Sequence, residues 1–206
     1  FTAGLLDLYE ATGAAAWLRE AIALDAVVEK YFEDRKLGGF YFTSDDHETL
    51  LAREKPAYDG AEPSGNSVHV MNLLRLSTLT TADRYRRRAV RALGAFRQRL
   101  VDNPLALAEM LLALDFYHGV PKEIVIVTPS ARAEAEPFLA RLRRTYVPNR
   151  VLIVTPQGGV PALWKVVPLV EGKTARQGRA TAYVCVRGVC DLPAMDPEVF
   201  ARQISR

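Results

Sequence analysis

The sequence predicts an α fold with a smaller α/β part: a partial (α/α) toroid of helical hairpins followed by a βαβ-containing subdomain. Three observations carry this reading. Up to residue 119 apolar residues recur at helical spacing, and helices wetted on one side alternate with helices apolar on nearly all sides. Beyond residue 120 two unalternating apolar runs flank a helical segment, the pattern of a parallel βαβ unit. Between the second and third helices, Arg53 to Ser67 gathers basic, acidic, hydroxyl and amide side chains in a stretch broken by Pro56, Gly60, Pro63 and Gly65, a composition suited to presenting polar groups.

Composition narrows the class. The 206 residues are 49% apolar and 25% charged, the balance of an ordinary globular chain. A net charge of +3 is too little to argue for a nucleic-acid partner, and none is expected. No apolar run is long enough to span a bilayer, and no basic segment leads into an apolar stretch and cleavage site, so the expected location is the cytoplasm, with no membrane partner. The chain starts inside a helical pattern at Phe1, which is compatible with a trimmed upstream domain.

In chain order, residues 2 to 12 form a short helix closed by Gly13 in the position of a left-handed cap. The next helix carries Trp17, Ala21, Leu24, Val28, Tyr31 and Phe32 on one face. Gly38 and Gly39 break its period, and the residues from about 39 to 54 are expected to form an inserted β-hairpin. The helix from Ser64 to Leu79 is apolar round most of its circumference. Thr80 and Asp83 have capping-box-like spacing for a one-sided helix, with Tyr85, Ala89, Ala92, Leu93, Phe96 and Leu100 inward and Arg84, Arg87, Arg88 and Arg91 on a solvated outer face. Asn103 and Pro104 open a fifth helix, Leu105 to His118, again apolar nearly all round.

The alternation fits a double-layered ring, whose inner helices are covered on every side; an ordinary bundle or solenoid is the competing arrangement. In the ring, the polar stretch sits at the mouth. The α/β subdomain, 120–206, comprises strand Glu123–Thr128, a helix from Arg132 to Tyr146, strand Asn149–Thr155, a further candidate strand within 161–170, a hairpin turning at Arg187-Gly188, and a final helix over 196–204. The Thr128-Pro129-Ser130-Ala131 turn has no glycine-rich phosphate loop, so nucleotide binding is not expected.

Gly38 to Phe42, Leu51 to Lys55, Tyr58 to Val68, and Ala182 to Cys185 with Cys190-Asp191-Leu192-Pro193 and Asp196-Pro197-Glu198 together resemble the carboxy-terminal part of the spermatogenesis-associated protein 20-like thioredoxin-domain family. The resemblance implies a thioredoxin-like domain followed by a six-hairpin toroid related to N-acylglucosamine 2-epimerases. It also implies that this chain, with about two and a half hairpins, is a fragment. Its partner is then the missing thioredoxin-like and toroid part of the same protein, or a partner subunit covering the exposed inner helices.

Two readings of the polar stretch stand side by side. In the functional one Arg53, Lys55, Tyr58, Ser64, Asn66 and Ser67 hold a sugar-like ligand while Asp59, Glu62 and His69 supply acid and base. In the structural one Ser64 or Asn66 caps a helix, Asp59-Gly60 makes a turn, the charges pair, and His69 is a hydrogen-bonded interior histidine. His47, beside Asp45 and Asp46, is expected in an exposed turn. The register puts Cys185 opposite Cys190, close enough to bridge, whereas a reducing compartment favours two free thiols; both are candidate redox residues. No cofactor or metal is expected. The leading functional expectation is a toroid fragment that binds or processes a carbohydrate by epimerase-like proton transfer. The alternative is a non-catalytic interaction module serving a thioredoxin-like domain in redox or protein quality control.

Overall fold

The computed structural model describes residues 1–48 and 50–206. Helix α1 (Thr2–Thr12) stops where Gly13 takes φ 73°, its N–H donating to the Tyr9 carbonyl at 2.7 Å. A Cβ there would lie 2.5 Å from the Val154 carbonyl oxygen, so both backbone angle and space require glycine. Helices α2 (Ala15–Tyr31), α3 (Gly65–Thr80) and α4 (Asp83–Asp102) follow, and a 3-10 turn, Pro104–Leu107, leads into α5 (Ala108–His118). By contacts the chain divides into two units: Phe1–Asp7, Ala16–Ser77 and Ala82–His118 form one, and Leu8–Ala15, Thr78–Thr81 and Gly119–Arg206 the other. Two short upstream segments thus join a unit that the sequence pattern starts only at residue 120.

In the helical unit α3 matches its composition: Val70, Leu73, Leu76 and Leu79 are fully buried and only Gly65 at its start is exposed. Helix α5 does not, because apolar composition buries a helix only where neighbours cover every side. It buries Met110, Ala113 and Phe116 but leaves Leu112 58% exposed. Helix α4 also departs from expectation. Thr81 enters the left-handed region at φ 56°, which puts Ala82, whose methyl side chain cannot cap, at the N-cap of α4. Arg88, expected on the wet face, is 4% exposed.

The hairpin expected over 39–54 is absent among the described residues. Gly38 and Gly39, at φ 80° and 78°, turn the chain so that Phe40 bridges back to Glu33, and the Tyr41 N–H donates to the Phe32 carbonyl at 2.8 Å. The Asn66 side chain takes both the N–H and the carbonyl of Phe40, at 2.7 and 2.8 Å, filling the place of a partner strand. Among the described residues the two arms of the expected hairpin share one backbone bond, Phe42 N–H to the Glu54 carbonyl, and the Arg53 side chain donates to the Thr43 carbonyl.

The second unit is built on β1 (Lys122–Thr128), α6 (Glu136–Arg143) and β2 (Arg150–Pro156), with β1 and β2 parallel. Antiparallel β3 (Thr181–Val186) lies on the other side of β1 and pairs with β4 (Val189–Cys190), giving the order β2-β1-β3-β4. The candidate strand within 161–170 is instead a short helix, α7 (Val160–Leu163), and a 3-10 turn at Pro168–Val170; Pro161 and Pro168 both sit at helix starts, where their missing N–H costs nothing. Helix α8 (Pro197–Ile204) is capped by Asp196, which accepts from the Glu198 N–H at 2.8 Å. Ile124, Ile126, Leu152, Val154, Ala182 and Val184 alternate onto one face of the sheet and form a core with Phe138 and Leu142 of α6 and Phe200 and Ile204 of α8. No helix among the described residues is long and apolar enough to cross a membrane.

Candidate functional site: an aromatic cleft over a buried ion network

A cleft of about 410 Å³ opens in the helical unit. Val28 of α2 and Phe32 beyond its end form one wall, Phe40, Tyr41 and Phe42 another, and Pro56, Tyr58, Glu62 and Pro63 the rim, with Ser64, Gly65, Asn66 and His69 contributed from the start of α3. The His69 ring meets Phe40 edge to face, centroids 4.5 Å apart.

His69 belongs to a buried network whose other members, Asp25, Glu33 and Arg88, the sequence pattern places in no site. Asp25 of α2, His69 of α3 and Arg88 of α4 are 1%, 7% and 4% exposed. His69 Nε2 is 3.1 Å from Asp25 Oδ1, and Arg88 Nη1 donates to Asp25 Oδ2 at 2.6 Å. The His69 Nε2 is not aligned as a hydrogen-bond donor, so its contact with Asp25 is chiefly electrostatic. Arg88 Nε donates to Glu33 Oε2 at 2.6 Å, and Arg91 reaches the other oxygen of Glu33. Burial alone raises the Asp25 pKa, but the hydrogen bond from Arg88 and the charges of Arg88 and His69 outweigh it, and the carboxyl titrates below its ordinary value. The signal was present in the spacing. Leu18, Ala21 and Asp25 share a face of α2, and Arg88 falls on the Tyr85, Ala89, Ala92 face of α4, so each charge lies on an apolar stripe where it needs a partner.

The stretch from 53 to 67 divides. Tyr58, Glu62, Ser64 and Asn66 line the cleft, joined by His69 just beyond the stretch; Arg53, Lys55, Asp59 and Ser67 do not. Arg53 donates to the Tyr31 carbonyl at the end of α2, 3.1 Å away, and stacks over the Tyr41 ring. Lys55 donates to Asp34 Oδ2 at 2.8 Å and the Gly38 carbonyl at 3.0 Å. Asp34 also accepts from the Leu37 and Lys36 N–H groups and the Tyr41 hydroxyl. Burial acts to raise its pKa, but these bonds hold it well below the carboxylate range. Asp59 accepts from the Ser64 N–H at 2.8 Å, the Ser67 hydroxyl at 2.9 Å, and the Glu109 and Met110 N–H groups at 2.9 and 3.1 Å. Its lone pairs thereby tie the start of α3 to the start of α5, leaving it poorly placed to accept a substrate proton. Ser64 caps α3 by accepting from the Ser67 N–H at 3.1 Å. Asn66 is held by Phe40 and by the Pro56 carbonyl. His47 is 75% exposed, 3.9 Å from Asp46.

In the second unit Cys185 and Cys190 form a disulfide, in place of the free thiols that a reducing compartment favours. The hairpin register brings them opposite each other, with Arg187 and Gly188 at φ 52° and 76° in the turn.

Fold and site together describe a mostly helical chain that carries an aromatic cleft and ends in a small α/β part. It is similar to spermatogenesis-associated protein 20 of Homo sapiens, 37% identical over 196 residues, which is 94% of this chain and 25% of that protein. The proteins of the same name from Rattus norvegicus and Mus musculus are each 36% identical over 94% of this chain and 25% of their own length. The chain thus spans 25% of the length of the curated relatives it matches. No protein-family profile matches it.

Proposed function

We propose that the helical unit is part of an (α/α) toroid that binds a carbohydrate in the aromatic cleft, with His69 moving a proton in an epimerase-like reaction. The observation that carries this reading is the lining: Phe32, Phe40, Tyr41, Phe42 and Tyr58 frame the cleft, with His69 and Glu62 supplying an imidazole and a carboxyl. A sugar ring offers apolar C–H faces bounded by hydroxyls, which complement flat aromatic surfaces with a few polar groups. Asp25, ionised beside Nε2, favours the proton on that nitrogen and leaves a lone pair on Nδ1. In the proposed step Nδ1 takes the proton from the carbon next to the sugar carbonyl, and the C–H electrons form an enediolate. Glu62, having taken a proton from solvent, delivers it to the opposite face; Asp25 stabilises the imidazolium in between, and His69 then releases its proton to solvent. Asp59 holds α3 in place. The exposed apolar residues at Leu105 and Leu112 are surface for the further toroid of a longer protein, or for a partner subunit, to cover.

Calorimetric titration with aldoses, ketoses and N-acylhexosamines, paired with mass spectrometry of each sugar after incubation in D2O, tests the reading. One sugar class is expected to bind and gain a deuterium, with exchange lost in His69→Gln. Absence of both binding and exchange across the panel refutes it. A second reading, an interaction module working beside a thioredoxin-like domain, is favoured by the bridged Cys185 and Cys190 on a surface hairpin.

A further inference from the structure

The sheet holds a second group of reactive side chains, on the face opposite α6 and α8. Glu123 of β1 lies opposite Cys185 of β3, and Val125 opposite Tyr183, so these side chains share that face; Cys190, opposite Cys185, extends it. The two bonded sulfurs belong to unlike residues: Cys185 is 2% exposed, whereas Cys190 is open to solvent. The Glu123 carboxylate reaches towards the hairpin turn and accepts from the Gly188 N–H at 3.2 Å. Burial raises the Glu123 pKa above its ordinary value, against the lowering effect of that N–H and of Lys173. Lys173, its Nζ 5.7 Å from the Tyr183 ring centroid, has its own pKa lowered by burial.

The bridge spans a sequence separation of only 5, so it closes a short loop and opening it releases little chain entropy. Strand β3 is paired to β1 over Thr181–Cys185 through a register in which β4 takes no part. The β1–β3 pairing is thus made outside the bridged hairpin end, and exposure distinguishes the two residues that the bond joins.

We propose that Cys185–Cys190 is a thiol–disulfide exchange site for a dithiol reductant, with Cys190 the sulfur attacked, Cys185 the leaving sulfur and Glu123 the proton donor to it. One thiolate of the reductant bonds to Cys190 Sγ, the Cys185–Cys190 bond breaks, and its electron pair stays on Cys185 Sγ. Cys185 takes a proton from Glu123, which regains one from solvent. The second thiol of the reductant, as thiolate, attacks the reductant's own sulfur in the mixed disulfide and releases Cys190 as a thiolate. Two electrons pass from the dithiol to the protein: the reductant leaves as a disulfide and the hairpin as a dithiol. The reverse sequence oxidises a substrate dithiol. This inference stands apart from the sugar reading of the cleft.

The test is reduction of the whole chain by dithiothreitol without denaturant, from pH 6 to 8.5, quenched with maleimide and counted by mass spectrometry. Two labels are expected with the far-ultraviolet circular dichroism unchanged. The Cys185→Ser chain is expected to label at Cys190 at least about tenfold faster than Cys190→Ser labels at Cys185. Glu123→Gln is expected to slow reduction several-fold at pH 6, with the difference from wild type closing as pH rises and Glu123 loses its proton. A disulfide that resists dithiothreitol until the protein unfolds, or equal labelling of the two cysteines, overturns the exchange site. A wild-type to Glu123→Gln rate ratio that does not change with pH overturns the role of Glu123. The two cysteine variants test the site even if Glu123→Gln fails to fold.

Discussion

The stretch from Arg53 to Ser67 and the cluster of Asp25, Glu33, His69 and Arg88 are both dense in charge, and they use it in opposite ways. In the stretch most polar groups end on backbone: Arg53 on the Tyr31 carbonyl, Asp59 on the Ser64, Glu109 and Met110 N–H groups, Asn66 on Phe40 and Pro56. In the cluster side chains of three helices meet one another and Glu33, just beyond the end of α2, and one of them, His69, also lines the cleft. A carboxylate bonded to its own chain's amides is a strut that shapes a site. A charge held by other charges orients a group that remains available for chemistry.

Breaking the cluster has the largest expected effect. Arg88→Met leaves Asp25 and Glu33 buried without their main cation and is expected to cost about 3–5 kcal/mol in urea denaturation. Breaking the strut is the next largest. Asp59→Ala strands the helix-start donors and is expected to cost about 1–3 kcal/mol, while the folded fraction keeps whatever ligand affinity the cleft has. Loss of ligand affinity or turnover in Asp59→Asn at unchanged stability would move Asp59 back into the chemistry.

The third expectation concerns pH. The folded pKa values of Asp25 and Asp34 lie below their unfolded values, so each contributes stability that is fully present above the unfolded pKa of about 3.9 and is lost as pH falls through the folded value. The stability difference between wild type and Asp34→Asn, measured by denaturation at a series of pH values, is therefore expected to shrink below about pH 4. The smallest effect is expected one residue from the largest. Arg87, 68% exposed beside Asp83, can become Ala with no measurable change in the denaturation midpoint.

The contrast between Arg87 and Arg88 also marks how far the sequence could be read. Periodicity found the five long helices, the parallel strands and the hairpin register, because each depends on local spacing. It failed where a distant group supplied the hydrogen bonds. Phe40 reads as strand, yet Asn66, 26 residues on, takes its backbone groups. Arg88 reads as one of a solvated stripe until Asp25, 63 residues earlier, is seen opposite it. Helix α5 reads as buried because composition reports what a surface is made of and not whether anything covers it. In the candidate site, the aromatic wall and His69 were visible as residues. The division of the polar stretch into cleft-lining and strut residues was not, since it depends on which backbone amides lie within reach of each side chain.

The most direct measurement is a map of amide and aromatic-ring NMR shifts during titration with the sugar panel. The account predicts that one sugar class moves the signals of Phe40, Tyr41, Tyr58 and His69 and leaves those of Arg53 and Lys55 in place. Shifts centred on Arg53 and Lys55, or none with any sugar, would contradict it.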